Sequence, residues 1–108
     1  SACREAPVLV SRFDVFRMKD GGTLVVACQA DILDDLNTRV VIPLLPQSEA
    51  PKPARNLNPV FDFEGGRFVL MTQLLSAVKM RELGKKAGSL ESEERAIINA
   101  LDFLLTGV

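Results

Sequence analysis

The chain has 108 residues, 47% of them hydrophobic and 25% charged, with 13 basic against 14 acidic side chains. That size fits one domain able to bury roughly 65% of its unfolded surface. The near-neutral charge argues against a protein that binds nucleic acid by neutralising phosphates. Histidine, tryptophan and tyrosine are absent. This removes histidine-based general base and triad chemistry, and it leaves too few ligands for a zinc site.

The first residues, Ser1 to Arg12, read as an extension before the domain proper, which spans 13–108. Their only apolar run is Val8-Leu9-Val10, too short for a signal peptide. No apolar run reaches the ~18 residues a membrane span needs. A cytoplasmic protein is therefore expected, with Cys3 and Cys28 as free thiols.

Phe13 to Met18 reads as a strand, and Lys19-Asp20-Gly21-Gly22 as a turn. Thr23 to Ala30 is a second strand, apolar on both faces and so well buried. Asp31 to Thr38 interrupts the pattern with Asp and Asn, whose side chains bond to nearby backbone. Two large apolar residues, Ile32 and Leu33, sit inside this polar loop, either tucked into the core or exposed for a partner. Arg39 to Leu44 is a third strand, in which Pro43 marks an edge or an end.

Pro46 to Pro59 is an irregular, proline-rich connection. Val60–Phe63 and Arg67–Thr72 flank Glu64-Gly65-Gly66 as a second hairpin. A short strand is expected around Leu75 to Val78. Glu91, Glu93 and Glu94 then crowd the first turn of a helix, with Ser89 or Ser92 as its cap. Ile97, Leu101, Leu104, Leu105 and Val108 fall on one helical face, and Asn99, Asp102 and Thr106 on the other. Gly107 is a natural stop. The expected architecture is mainly β, about five mostly antiparallel strands followed by one C-terminal helix.

Phosphate-loop, dinucleotide, nucleophile-elbow and metal motifs are all missing, and no cofactor is expected. Asp31, Asp34 and Asp35 lack the spacing of a calcium loop. Gly21-Gly22 and Gly65-Gly66 fit hairpin turns better than phosphate cradles. What stays unexplained is the apolar pair Ile32 and Leu33, and a chain that finishes on a helix tip, Thr106-Gly107-Val108.

The run from Gln29 to Leu44, QADILDDLNTRVVIPL, resembles a segment of the CcdB family of bacterial toxins. FDVFRMK at Phe13–Lys19, Asn58-Pro59-Val60, Met71-Thr72 and the closing ALDFLLTGV are similar to further family segments, in the same order. The resemblance covers Phe13 to Val108. It implies a small antiparallel SH3-like barrel sheet of the CcdB–MazF type with a terminal helix. It implies a homodimer that is not an enzyme. Such toxins bind the DNA gyrase A subunit, trap the gyrase–DNA cleavage complex, and serve in plasmid maintenance. A CcdA-like antitoxin neutralises them, and only the toxin–antitoxin complex engages operator DNA. The family's gyrase contacts carry over onto Ile32, Leu33, Asp102, Thr106, Gly107 and Val108. The chain departs from the best-known members at two of these, with Asp102 where they have Asn and Thr106 where they have Trp. Two alternatives stay open. One is a MazF/Kid-like endoribonuclease using Arg39, Arg67, Asp62 and Glu64; the other is a relative that binds antitoxin and poisons nothing.

Overall fold

A computed structural model describes residues 12–28, 37–54 and 56–107. Its seven strands run in chain order: β1 Asp14–Met18, β2 Leu24–Ala27, β3 Thr38–Pro46, β4 Val60–Phe63, β5 Gly66–Leu70, β6 Ser76–Lys79 and β7 Leu83–Ser89. One helix, α1 Glu94–Thr106, closes the chain. Every strand pairing is antiparallel, in the order β4-β5-β3-β2-β1-β7, with β6 also paired to β3. The expected mainly β sheet with a C-terminal helix is what the chain forms.

Both expected hairpins are present for the expected reason. Glu64 and Gly65 join β4 to β5 with φ of 51° and 79°. Two central residues at positive φ make the turn whose twist suits a tight hairpin. Gly21 and Gly22, with φ of 90° and 72°, do the same work between β1 and β2.

The sheet is packed on both faces because its central strands alternate two apolar sets. Val15, Leu24, Val26, Ile42, Leu44 and Leu70 belong to the larger core, which Ile97 of α1 joins. Phe16, Val25, Ala27, Val41 and Leu83 make a smaller core, with Val78 and Met80 against it. The unbroken apolar run in β2 is thus two alternating half-faces.

The sheet curls until its outer strands meet. The Phe63 ring of β4 lies against the backbone of Gly88 in β7, so that a Cβ there would stand 3.0 Å from two ring carbons. Beside it Arg17 of β1 pairs with Glu64 at 3.0 Å. The proline-rich connection is anchored by Asn58, which is 6% exposed. Its carbonyl accepts from the Ala54 N–H, and its amide donates to the Leu70 carbonyl and the Gln73 Oε1.

Three expectations need correction. Pro43 lies inside β3, flanked by β2 and by the β5–β6 side, not at an edge or an end. Its carbonyl accepts from Met71, while a 3-10 turn at Thr72–Leu74 interrupts the neighbouring lane at this point. The missing N–H therefore has no ladder acceptor to leave unmet. The strands number seven where about five were expected, and β7 was not expected at all: its LGKKAGS sequence has two glycines and two lysines, poor strand formers. Finally, Leu105 is 75% exposed and is not buried with the core face of α1. The buried face is Ile97 and Ala100 with Ala96, Ile98 and Leu101 around them. Leu105 points between the directions of Leu101 and Ile98, but it sits in the last turn, beyond the core residues that cover those two. The capping expectation is corrected as well: α1 starts from Glu93 with no side-chain cap, and Ser89, at the end of β7, accepts from the Glu91 N–H at 3.1 Å ahead of a 3-10 turn at Glu91–Glu93.

Two substitutions test this packing. Asn58→Ala leaves the buried Leu70 carbonyl without its donor and should cost about 1–3 kcal/mol in urea unfolding. Gly88→Val should cost about 1–3 kcal/mol by forcing the Phe63 ring off the β7 backbone. A wild-type midpoint for either variant would remove that contact from the account of stability.

Candidate functional site

The last turn of α1 has no fully buried residue. Asn99, Asp102, Leu105 and Thr106 are exposed, and Leu101, Phe103 and Leu104 are half-buried. Gly107 ends the helix in the left-handed region, φ 76°, with its N–H bonded to the Phe103 carbonyl. Apart from its chain neighbours and its own helix backbone, no described atom lies within 4 Å of where its Cβ would be. The Thr106 hydroxyl is turned back onto the helix, donating to the Asp102 carbonyl at 2.6 Å. The tip therefore presents a methyl group at Thr106, the Asp102 carboxylate and the bare backbone of Gly107 on one exposed surface.

Asp102, Thr106 and Gly107 are thus neighbours, as the sequence spacing required. Ile32, Leu33 and Val108 lie outside the described residues. Asp31, Asp34, Asp35 and Cys3 lie there as well. Among the described residues, no group of three or more Cys, Asp or Glu is placed to hold a metal ion. No described helix is long and apolar enough to cross a membrane.

The four residues weighed for RNA cleavage do not form one group. Asp62 and Arg67 face each other across the β4–β5 hairpin at 3.0 Å, and Glu64 is taken by Arg17. All four of these side chains are at least 42% exposed. Arg39 is buried and lies seven residues from the β5 end of β3, with one guanidinium nitrogen donating to the Thr38 carbonyl. That separation is on the order of 20 Å along the strand.

Two surface features were not anticipated. Leu74, in the turn between β5 and β6, is 52% exposed. A shallow groove runs between α1 and the preceding connection, lined by Asn56, Pro59, Ala96, Asn99 and Phe103. The helical stripe through Asn99 pointed to one wall of it. Nothing in the sequence pattern pointed to Asn56, which takes a positive φ of 70°.

The CcdB protein family model matches residues 12–107. The chain belongs to the CcdB toxin family. No curated protein matches the chain. Among solved structures, this CcdB-family chain is similar to an endoribonuclease from a mycobacterial species in complex with its cognate antitoxin. The TM-score is 0.72 at 16% identity, over 93% of this chain and 95% of that one. A second endoribonuclease from a mycobacterial species gives a TM-score of 0.75 at 15% identity, over 94% and 95% of the two chains. At such identities the likeness is one of fold.

Cys28 is the described thiol, buried at the end of β2 and donating to the Val40 carbonyl at 3.4 Å. Burial pushes it from an ordinary 9.0 up to about 11, against the opposing pull of the Arg12 guanidinium and a backbone hydrogen bond. A raised value means that the folded state holds the proton more tightly than the unfolded chain. This contribution to stability is complete below pH 9 and is lost as pH rises towards 11. In a Cys3→Ser background, a disulfide reagent at pH 8 should titrate Cys28 about a hundredfold more slowly in the native protein than in denaturant. Equal rates would show that the thiol is not buried.

Proposed function

We propose that this protein is the toxin of a type II toxin–antitoxin module for plasmid maintenance. In this reading it acts as a cytoplasmic homodimer by binding. It seizes the A subunit of DNA gyrase and traps the enzyme on cleaved DNA. A CcdA-like antitoxin neutralises it, and operator DNA is engaged through the toxin–antitoxin complex alone. The observation that carries the reading is the helix tip, where Asp102, Leu105, Thr106 and Gly107 are exposed and unburdened by packing. Membership of the CcdB family supports it. Ile32, Leu33 and Val108 complete the proposed contact set.

Thr106 bears on strength. A tryptophan is a large interface anchor, and a threonine whose hydroxyl is already used within its own helix offers little beyond a methyl group. The contact here would rest on main-chain shape at Gly107 and on the Asp102 carboxylate.

The fold shared with two endoribonucleases favours a second reading, RNA cleavage. Arg17, Asp62, Glu64 and Arg67 on the β4–β5 side would be its chemical groups. Each acid there is held by an arginine in solvent, which suits a surface ion pair better than a general base.

A plasmid cleavage assay with purified gyrase, ATP and this protein, quenched with detergent and protease, tests the first reading. Linear DNA is expected with the wild type and at least tenfold less with Gly107→Arg. An L-residue in the left-handed region costs roughly 1–2 kcal/mol, confined here to a solvent-exposed helix end, so the variant should still fold and dimerise. Undiminished poisoning by a folded Gly107→Arg would take the tip out of the site. Absence of linear DNA together with RNA cleavage, lost in Asp62→Ala or Glu64→Ala, would establish the second reading.

A further inference from the structure

Among the described residues β6, like the outer strands β4 and β7, is paired on one side only. β3 shares one side with two strands laid end to end, β5 opposite Leu44–Pro46 and β6 opposite Thr38–Val41. β4 flanks β5 from Val60 onward, where the Leu70 N–H bonds to the Pro59 carbonyl. The same lane beside β6 is empty of described residues, since β6 pairs only with β3.

The ladder shows which main-chain groups face that lane. The Met80 N–H donates to the Asn37 carbonyl, so Thr38 and Lys79 form a non-hydrogen-bonded pair. Val40 and Ala77, two residues along, form another. The N–H and C=O of Ala77 and of Lys79 therefore point away from β3. The Lys79 carbonyl caps the 3-10 turn at Met80–Glu82, where the Glu82 N–H closes on it; the Ala77 N–H and C=O and the Lys79 N–H find no partner among the described residues, and both residues are exposed. Two donors and one acceptor at strand spacing are the template for an added strand.

The edge is also basic. Lys79 and Arg81 are exposed and form no ion pair among the described residues, whereas Arg17, Arg67 and Lys86 each hold a carboxylate. Lys79 and Arg81 line a shallow hollow with Asn37, Thr38 and Met80. Two copies of the chain joined along this edge would bring like charges together, which is unfavourable. A segment with acidic side chains is attracted instead.

We propose that the outer edge of β6 takes up an extended, acidic polypeptide segment as an additional strand. Its main chain bonds to Ala77 and Lys79, and its acids face Lys79 and Arg81. Under the function proposed above, the antitoxin is the source of that segment, and to this extent the proposal rests on that reading. An ordered strand of four or five residues would fill the lane, about 13–17 Å long.

The test uses the full chain and a ten-residue synthetic peptide alternating Glu and Val. Amide exchange followed by NMR should slow at Ala77 and Lys79 on peptide addition. N-methylation of alternate peptide amides should abolish binding. The Lys79→Glu, Arg81→Glu double variant should weaken it roughly tenfold or more. Four results would overturn the proposal. One is equal binding of the N-methylated peptide, which would mean a polyanion patch with no strand pairing. The second is equal binding by the double variant. The third is protection elsewhere or no binding. The last is protection at Ala77 and Lys79 that rises with protein concentration alone, which would give the edge to a second copy. None of these bears on the gyrase and RNA assays, and a negative outcome there leaves the peptide result standing.

Discussion

The structure depends on how far the sheet curls, and the curl is set by a ring lying on a backbone. Phe63 of β4 rests on Gly88 of β7, bringing together strands at opposite ends of the sheet order. Glycine at 88 makes this approach easy, because a Cβ there would stand 3.0 Å from two ring carbons and the ring would have to give way. The same closeness brings Glu64 within reach of Arg17. A flat sheet of this composition would leave one apolar set in water; curling wraps it into two separate cores. The larger takes the helix, and the smaller is sealed by Val78, Met80 and Leu83.

The break between β5 and β6 is the second organising feature. Three residues of 3-10 turn let two short strands share one side of β3, and they leave a place where Pro43 can sit in a central strand. They also separate the part of this lane that β4 flanks from the part beside β6, where no described strand pairs. An irregularity of a few residues thus decides both where a proline is tolerated and where an edge stays available.

Much of this was legible in the sequence. The hairpins announced themselves through Gly21-Gly22 and Glu64-Gly65, where the backbone needs positive φ. The helix was legible from its acidic start and the spacing of Ile97 and Leu101. β7 was not, because its strand character comes from pairing with β1 and not from local preference: Gly84 and Gly88 are there to let neighbouring groups approach. The place of Pro43 was unreadable for the same reason, since it depends on a gap between two other strands. At the candidate site, the stripe of Asp102 and Thr106 followed from helical geometry alone. The back-bonding of the Thr106 hydroxyl, which alters what the tip displays, appears only with coordinates.

The helix outruns the sheet that supports it. Ile97 and Ala100 carry its burial, and no side chain from Asp102 to Gly107 is fully buried. Mutational load on the fold and on the tip therefore falls on nearly disjoint residues. Replacements at 102, 105 and 106 are close to neutral for folding, so this end of the chain can change while the scaffold stays constant.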